Sequence, residues 1–249
     1  TLWVSSTFAQ SVPAPVLCGP FKGVGYRGGI ATPIKSGTAG RTYAAGRFVV
    51  NDKIILKAGE VISGAGPDKT TLYFPKGLID LGYVCANPKD CWSWDGGLIP
   101  ASGSEVGVQN LTIEFPVHTF THYDTTIGAQ PGFNGVDLSG CTNCWVKNVQ
   151  VINSDVGIVA RNSKYSTIEN TSVTANPNGS HLHYAASSGS EYVLINGFST
   201  YNTSNHCLTS QWKSMYNVFT NGTALGPTRI EPDHNEPTAA DITLSLFSH

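Results

Sequence analysis

An asparagine or aspartate recurs immediately before short apolar segments, and this repeat constrains the fold more than any other feature of the chain. It occurs in NLTIEF at Asn110, NVQVIN at Asn148, NTSVTA at Asn170, NGFSTY at Asn196, NVFTNG at Asn217 and DITLSL at Asp241. Successive members are separated by roughly 20 to 40 positions, and a period of about 20 to 50 residues is typical of a solenoid. Because a solenoid stacks equivalent positions into columns, residues that are distant in sequence are expected to share one surface.

Each repeat divides into three short strands. The first precedes a variable turn, as in VDLSG, GIVAR, LHYAA, CLTSQ and RIEPD, the second leads to the Asn or Asp, and the third follows it. Asn tolerates left-handed backbone angles, and its amide can bond to the Asn of the next coil, so Asn fits a tight corner between two strands. No segment has a convincing helical period. We therefore predict an all-β fold, a single-chain parallel β-helix with an Asn ladder.

The strand pattern does not extend over the whole chain. Residues 1–46 are rich in Gly and Pro and have no period, which indicates an irregular N-terminal arm or cap. Residues 47–249 are predicted to form one β-helix domain. Its last segment, SLFSH, offers no polar cap, and solenoids need their ends covered. We therefore expect that the domain is incomplete or capped by a partner at its C-terminal end, for example by end-to-end self-association.

Composition excludes two classes of partner and favours one location. The formal net charge is −2 and charged residues make up 13% of the chain. No basic surface for nucleic acid is therefore indicated. No apolar run is long enough to span a bilayer. Five N-x-S/T sequons occur, which together with six cysteines favour a secreted glycoprotein. The predicted glycosylation sites are Asn110, Asn170, Asn178, Asn202 and Asn221.

The cysteines predict one disulfide and leave the rest open. Cys85 and Cys91 bracket the short polar segment ANPKD, and we predict a disulfide between them. Cys141 and Cys144 form a CxxC, which can be a redox pair or half of a zinc site. No second CxxC is present and the flanks are typical of a β-turn, so neither role is favoured. The pairing of four cysteines stays open: Cys18, Cys141, Cys144 and Cys207.

Three segments resemble the pectate-lyase-like right-handed parallel β-helix superfamily, in which an Asn ladder lies between the second and third strands. They are AGRFVVNDKIILKAGEVISGAGPDKTTLYF, NCWVKNVQVINSDVGI and IEPDHNEPTAADITL, and the resemblance covers residues 47–249. The second and third segments resemble a less-studied branch of presumed carbohydrate-active proteins within the superfamily. It implies a right-handed coil, a carbohydrate substrate and a cleft on the sheet of first strands. NSDVGI is similar to the Asn-Thr-Asp motif of polygalacturonases, which would make Asp155 one catalytic carboxylate. The paired aspartates and the Gly-His-Gly of that family are absent, so polygalacturonase activity is not expected.

Stacking the first strands gathers ionisable side chains at one edge. The column comprises Asn134, Asp137, Asp155, Arg161, His181, His183, Asn205, His206, Arg229, Glu231, Asp233 and His234. Strand side chains alternate between the two faces of a sheet, so His181 and His183 are expected to point the same way, outward. The column is the main functional signal in the sequence.

The column suits lysis of an acidic polysaccharide by β-elimination, which needs a cation for the uronate carboxylate and a base for the C5 proton. The predicted catalytic residues are Asp155, His183 or His206 as the base, and Arg161 as the cation, a role that Arg229 or Lys213 could also fill. The predicted substrate-binding residues are His181, Tyr184, Trp212, Lys213, Arg229, Asp233 and His234. C5-epimerisation needs nearly the same groups. Two alternatives are a non-catalytic structural or glycan-bearing extracellular module, such as a fibre subunit, and a glycoside hydrolase with two carboxyl groups about 5 to 9.5 Å apart.

No cofactor and no specific metal site are predicted. Two groups of residues have suitable ligand types: Asp233, His234 and Glu236 with His206, and His118, His122 and Asp124 in HTFTHYD. Histidines spaced in this way outside a helix are a weak metal signal. Calcium stays an open candidate, although it favours oxygen-rich sites and the column has few carboxylates.

Overall fold

A computed structural model of the chain describes residues 40–83, 96–120, 131–202, 206–224, 228–230 and 246–248. These residues contain eighteen strands and no helix. The strands are β1 Gly40–Thr42, β2 Gly46–Val49, β3 Val61–Ser63, β4 Thr70–Tyr73, β5 Ile99–Pro100, β6 Gly103–Ser104, β7 Gly107–Glu114, β8 Asn134–Asp137, β9 Cys141–Thr142, β10 Trp145–Ser154, β11 Val156–Arg161, β12 Thr167–Ala175, β13 Leu182–Ser187, β14 Leu194–Tyr201, β15 His206–Ser210, β16 Val218–Thr220, β17 Thr228–Ile230 and β18 Leu246–Ser248.

The strands form two long parallel sheets between which the chain alternates. Sheet A has ten strands and follows the order β1-β3-β7-β10-β12-β14-β16-β18, with β2 and β4 alongside. Sheet B has six strands in the order β17-β15-β13-β11-β8-β5, and β6 pairs with β9 in a short third sheet. Because successive strands such as β10, β11, β12 and β13 alternate between the two sheets, each repeat is one turn of a coil. The predicted all-β parallel β-helix is therefore confirmed.

The Asn ladder is present in the first three corner positions. Asn110, Asn148 and Asn170 lie beside one another in neighbouring strands of sheet A. Their backbone φ angles are 56, 53 and 50 degrees respectively. These values lie in the left-handed region that Asn tolerates. The side-chain amide of Asn148 donates a hydrogen bond of 2.9 Å to Oδ1 of Asn110. These corners bend β10 and β12 into the predicted second and third strands.

The predicted ladder is wrong in the next two coils. Asn196 pairs with Glu169, one residue before the corner, and Gly197 takes the corner position with a φ of 66°. A Cβ at Gly197 would lie 2.6 Å from Oδ1 of Asn170. Glycine therefore fits there, because it has no Cβ and readily adopts positive φ. In the following coil the corner is Asn221, with a φ of 54°. The sixth predicted member, Asp241, lies outside the described residues.

Asn217 has a different function from the one predicted. It is fully buried, and its Oδ1 accepts a hydrogen bond of 2.9 Å from the backbone N–H of Val193. The segment that follows it, Val218–Thr220, is the second strand of its coil and not the third. Asn217 therefore stabilises the turn before this strand instead of the corner after it.

The predicted boundary at residue 46 falls after the first strand. β1 lies within the predicted arm, yet it pairs with β3 as part of sheet A. Residues 1–39 lie outside the described part of the chain, as do residues 231–245. The predicted arm and the predicted partner at the C-terminal end therefore stay predictions.

The core lies between the two sheets and is built from columns of apolar side chains. One column of sheet A contributes one residue per coil: Ile62, Val108, Val146, Ile168, Ile195 and Phe219. All six are buried. Burying a side chain of this size contributes about 1.5 to 3 kcal/mol, so each coil adds to the stability of its neighbours.

Candidate functional site

Asp155 occupies the turn between β10 and β11. It belongs to what we call the leading edge of sheet B, which comprises the residues at and just before the start of each sheet B strand. Its side chain is fully buried. One carboxylate oxygen lies 2.6 Å from Nε2 of His118. The other accepts hydrogen bonds from the backbone N–H groups of Gly132 (3.1 Å) and Phe133 (3.0 Å). The buried carboxylate is thus fully used by groups of this chain.

Acceptors lie at both ring nitrogens of His118. Its Nδ1 lies 2.8 Å from the carbonyl oxygen of Pro116, and its Nε2 faces Asp155. Burial lowers the pKa of His118, but the hydrogen bond and charge of Asp155, with the Pro116 carbonyl, outweigh burial and raise the pKa above its usual value. The ring also packs against Phe133, with 4.4 Å between ring centroids. With both nitrogens occupied, His118 cannot accept a proton from a substrate.

Two asparagines fix the backbone of His118. The side chain of Asn176 accepts from the His118 N–H at 3.3 Å and donates to the His118 carbonyl at 2.7 Å. The amide of Asn178 donates to the same carbonyl at 2.8 Å. Asn176 is buried, so its polar groups need these partners.

The backbone carbonyl of Asp155 organises the next coil. It accepts hydrogen bonds from Ser180 Oγ (2.9 Å), the N–H of His181 (2.8 Å) and the N–H of Leu182 (3.1 Å). The carbonyl of His181 accepts in turn from the N–H of His206 at 3.0 Å, and the two imidazole rings lie 5.4 Å apart. His181 is buried and His206 is half-buried. The leading-edge cluster therefore consists of His118, Asp155, His181 and His206.

The predicted outward orientation of His183 is wrong. The side chain is fully buried, and neither ring nitrogen has a hydrogen-bond partner among the described residues. In the register of sheet B it lies between Gly157 and Cys207. Both positions face the core: Cys207 is a core residue, and a Cβ added at Gly157 would come within 2.6 Å of the core side chain of Val173. Burial lowers the pKa of His183 to about 4, so the ring is neutral. Alternation fails because His181 lies in the bend before β13, outside the regular strand.

Tyr184 is also a core residue, so the predicted contact with substrate is wrong for this structure. Its ring packs against Phe198 with 5.6 Å between centroids, and its hydroxyl lies 3.1 Å from Oγ1 of Thr171. Burial raises the pKa of its hydroxyl. The side chain therefore links the two sheets across the interior.

Arg161 lies at the far end of β11. From Asp155 to Arg161 the strand advances about 20 Å, so Arg161 does not join the leading-edge cluster. Its Nη1 is 3.9 Å from a carboxylate oxygen of Asp137, and the two side chains are only 12% and 7% exposed. The second carboxylate oxygen of Asp137 accepts from Ser139 Oγ at 2.5 Å. The guanidinium predicted to meet a uronate is thus paired within the chain.

The outward side of sheet B is shielded at its centre. Val156, Val159, Leu182 and Ala185 form an apolar cluster separate from the main core, and none is more than 3% exposed. The hydroxyls of Ser187 and Thr209 are buried, with no hydrogen-bond partner in the part of the chain that the structure describes. This face was predicted to be an open cleft, and in its described part it is closed to solvent.

Trp212 and Lys213 lie in the turn that follows β15. Both adopt left-handed backbone angles, with φ of 54° and 58°. Trp212 is half-buried and Lys213 is exposed, so both can reach a ligand. Arg229, in β17, pairs with Thr209 of β15, but the Arg229 side chain lies outside the described part of the chain. The following predicted residues also lie outside the described part of the chain: Cys85, Cys91, His122, Asp124, Asn205, Glu231, Asp233, His234 and Glu236.

A disulfide that the sequence left open joins Cys141 to Cys144 between β9 and β10. The CxxC spacing signalled a pair, but spacing alone does not separate a disulfide from a metal site. Among the residues that the structure describes, no three His, Cys, Asp or Glu side chains are arranged to hold a metal ion. Cys207 carries a buried thiol. Within the same residues there is no helix long and apolar enough to cross a bilayer.

The sequons lie on the surface of the coil. Asn170, Asn178, Asn202 and Asn221 are exposed, and Asn110 is half-buried in the ladder. The amides of Asn202 and Asn221 donate to the Ala175 carbonyl and to Asn196 Oδ1. A glycan replaces one of the two hydrogens on an amide nitrogen, and the other hydrogen can keep such a bond.

Sequence reasoning missed the partner of Asp155. The sequence offers His118 only as a metal ligand in HTFTHYD, and no pattern singles out Asn176. The available signal was the position of HTFTHYD between two coils, where a loop can reach the leading edge.

No known protein-family profile and no curated protein matches the chain. A "putative glycosyl hydrolase" from Parabacteroides merdae has a similar structure, with a TM-score of 0.58 and 14% identity over 80% of this chain and 87% of that one. A GH87 α-1,3-glucanase catalytic domain gives a TM-score of 0.48 and 19% identity over 77% of this chain. This chain spans 31% of that catalytic domain. A mannuronan C-5 epimerase from Azotobacter vinelandii gives a TM-score of 0.44 and 12% identity over 75% of this chain and 61% of that one.

The order of the two sheets, the asparagine corners and the likeness to the Parabacteroides merdae structure agree. The chain is a parallel β-helix whose fold is similar to that of the Parabacteroides merdae structure.

Proposed function

We propose that this chain is an extracellular carbohydrate-active β-helix protein that acts on an acidic polysaccharide, by β-elimination or C5-epimerisation. The observation that carries the proposal is the leading-edge cluster, where a half-buried imidazole, His206, stands beside His181 and close to the fixed His118–Asp155 pair. An imidazole titrates near neutral pH and suits the abstraction of a proton next to a carboxylate. A "putative glycosyl hydrolase" with a similar fold supports the carbohydrate class.

One residue of the leading-edge cluster, His206, acts directly on the substrate in this proposal. His206 takes the C5 proton of a uronate unit, because it is the more accessible ring of the pair. In β-elimination the electron pair left on C5 forms the C4=C5 double bond and expels the C4 oxygen, which takes up a proton from water. In epimerisation C5 takes a proton from water on the opposite face. Lys213 is exposed, but it lies seven positions beyond His206 and past the end of β15, so in this proposal it is a candidate contact for a different unit of the polymer.

Hydrolysis is less well supported by the described residues. A hydrolase needs two available carboxyl groups about 5 to 9.5 Å apart. Both oxygens of Asp155 are bonded inside the protein. Asp137 pairs with Val159, which lies four positions along β11 from Asp155. At the rise of a β-strand this offset corresponds to about 14 Å. These two carboxylates therefore do not form such a pair.

Two observations favour a second candidate, a non-catalytic structural or glycan-bearing module. The outward apolar cluster of sheet B is closed to solvent, and Arg161 is paired with Asp137. Within the described part of the predicted cleft, a long polymer would then meet the leading edge and the turn at Trp212. The predicted glycans, secretion and end-to-end association would suit such a module.

A screen of uronate polymers separates the two candidates. Unsaturated products are followed by ultraviolet absorbance, and epimerisation by NMR of the sugar C5 and H1 signals. Loss of a general base costs about 10²- to 10⁴-fold in rate, so His206→Ala is expected to lose at least about a hundred-fold. Lys147→Gln on sheet A, with a side chain 46% exposed, is the control and is expected to keep full activity. Wild-type protein that changes no polymer would favour the structural module.

Secretion and glycosylation have their own measurement. Mass spectrometry of sequon peptides from protein made in a glycosylating host is expected to find sugars on Asn178 and Asn221, which are exposed. Light scattering of the same material tests end-to-end association, because a strictly monomeric full-length protein at micromolar concentration would contradict it.

A further inference from the structure

We propose that Asp155 is a positioning residue, which ties the backbone on both sides of residues 119–131 to the leading edge and fixes the spacing of His181 and His206. The role of those two histidines in chemistry rests on the proposed function. The contacts of Asp155 do not depend on it.

The side chain of Asp155 holds two chain segments that are far apart in sequence. Oδ1 holds the upstream segment through the ring of His118, and Oδ2 holds the downstream segment through the N–H groups of Gly132 and Phe133. Hydrogen bonds to an ionised acceptor are about twice as strong as neutral ones. Asn176 adds two bonds to the backbone of His118. Both segments are therefore anchored on one buried carboxylate.

The backbone of Asp155 carries this anchoring to the candidate catalytic histidines. Its carbonyl accepts from Ser180 Oγ and from the N–H of His181, and the carbonyl of His181 accepts from the N–H of His206. A shift of Asp155 is thus passed along two hydrogen bonds to both rings. Because both carboxylate oxygens are occupied and the side chain is fully buried, Asp155 does not touch a substrate.

Two substitutions distinguish positioning from direct catalysis. Asp155→Asn keeps the size of the side chain, an oxygen for the two backbone N–H groups, and an amide N–H for a neutral His118. Asp155→Ala removes all of these contacts. A positioning role predicts a kcat about a hundred-fold lower for Asp155→Ala, recovery to within about ten-fold of wild type for Asp155→Asn, and little change in KM in either. Equal inactivity of the two variants would show that an ionised carboxylate is needed, and would overturn the proposal.

Histidine NMR gives a readout that needs no substrate. In ¹H–¹³C spectra the ring signals of His181 and His206 are expected to move in Asp155→Ala and to stay near wild type in Asp155→Asn. Unmoved signals in Asp155→Ala would also overturn the proposal. If the signals move as expected while the wild-type protein acts on no polymer, the positioning role stands and the proposed function fails.

A second variant covers the case in which Asp155→Ala does not fold. His118→Ala removes only the upstream contact, and it is expected to move the same two ring signals in the same direction. Signals that stay in place in His118→Ala would contradict the proposal as directly. Glu169→Gln is the matched control, because Glu169 forms an ion pair with Lys147 on sheet A, away from the leading edge.

Discussion

Two histidines in this β-helix are buried in opposite ways. His118 lies at the leading edge with an acceptor at each ring nitrogen, one of them the carboxylate of Asp155. His183 lies in the core between Gly157 and Cys207, and neither of its ring nitrogens has a partner within the described ranges of the chain. The first has a raised pKa and the second a pKa lowered to about 4. Burial alone therefore does not set the charge of a histidine, because a buried carboxylate reverses its effect.

The largest expected effect comes from removing the carboxylate that separates the two environments. Asp155→Ala leaves the buried ring of His118 and two backbone N–H groups without their acceptor. Breaking a buried pair from one side costs about 3 to 5 kcal/mol in the free energy of unfolding. Urea denaturation near pH 6 measures this loss.

The control for that loss is a partly exposed ion pair. Glu169→Ala breaks the 3.1 Å contact to Lys147, and the two side chains are 15% and 46% exposed. Surface pairs contribute no more than about 1 kcal/mol, so the control should change the free energy of unfolding by that much at most. Equal losses in the two variants would show that Asp155 is no more important than a surface carboxylate.

The next effect is the acid sensitivity caused by His183. The unfolded chain protonates this ring near pH 6.5, while the folded chain does so only near pH 4. The contribution of neutral His183 to the free energy of unfolding is thus fully present above pH 6.5, and it falls by about 3 kcal/mol as the pH drops to 4. Denaturation of wild type and His183→Leu across this range should give a difference that grows towards low pH. A difference independent of pH would mean that His183 keeps a proton partner in the folded protein.

The sequence was sufficient for the fold and for part of the site. The repeat of Asn110, Asn148 and Asn170 predicted the coil because left-handed corners need a particular residue type, which is a local requirement. At Gly197 a different residue meets the same requirement, and so the pattern was misread by one position there. Asp155, His181 and His206 were placed on one edge correctly because the register of the coil follows from the corners.

The environments of the histidines could not be derived in the same way. Whether His183 faces the core depends on how the turn before β13 is bent, and no single residue specifies that bend. The pairing of His118 with Asp155 joins positions 37 residues apart through a loop without a repeat. Periodicity gives the positions within the coil, but it does not give the paths of the loops that cover them.

A smaller pH effect of opposite sign is expected for His118. Because its folded pKa is raised, the stabilisation from its proton is fully present below the unfolded value of 6.5 and is lost as the pH rises through the folded value. The amide of His118→Gln can still donate to Asp155. This variant should therefore remove the loss of stability above pH 6.5 without changing the loss below pH 6.5 that comes from His183. Histidine NMR should find the His118 ring titrating above 6.5. A ring that titrates below 6.5 would contradict the ion pair.

The smallest effect tests whether His183 can be given a partner. Cys207 is its neighbour in β15, and Cys207→Ser places a hydroxyl donor beside the buried ring. A new neutral hydrogen bond contributes about 0.5 to 1.5 kcal/mol, which roughly offsets the cost of burying the hydroxyl. The same change in the His183→Leu background has no such partner and should cost more. A double-mutant cycle is therefore expected to give a coupling of about 1 kcal/mol between the two positions. A coupling near zero would mean that the His183 ring is turned away from Cys207, so that its orientation prevents a hydrogen bond. The His118 ring, by contrast, is oriented towards a carboxylate that bonds to it.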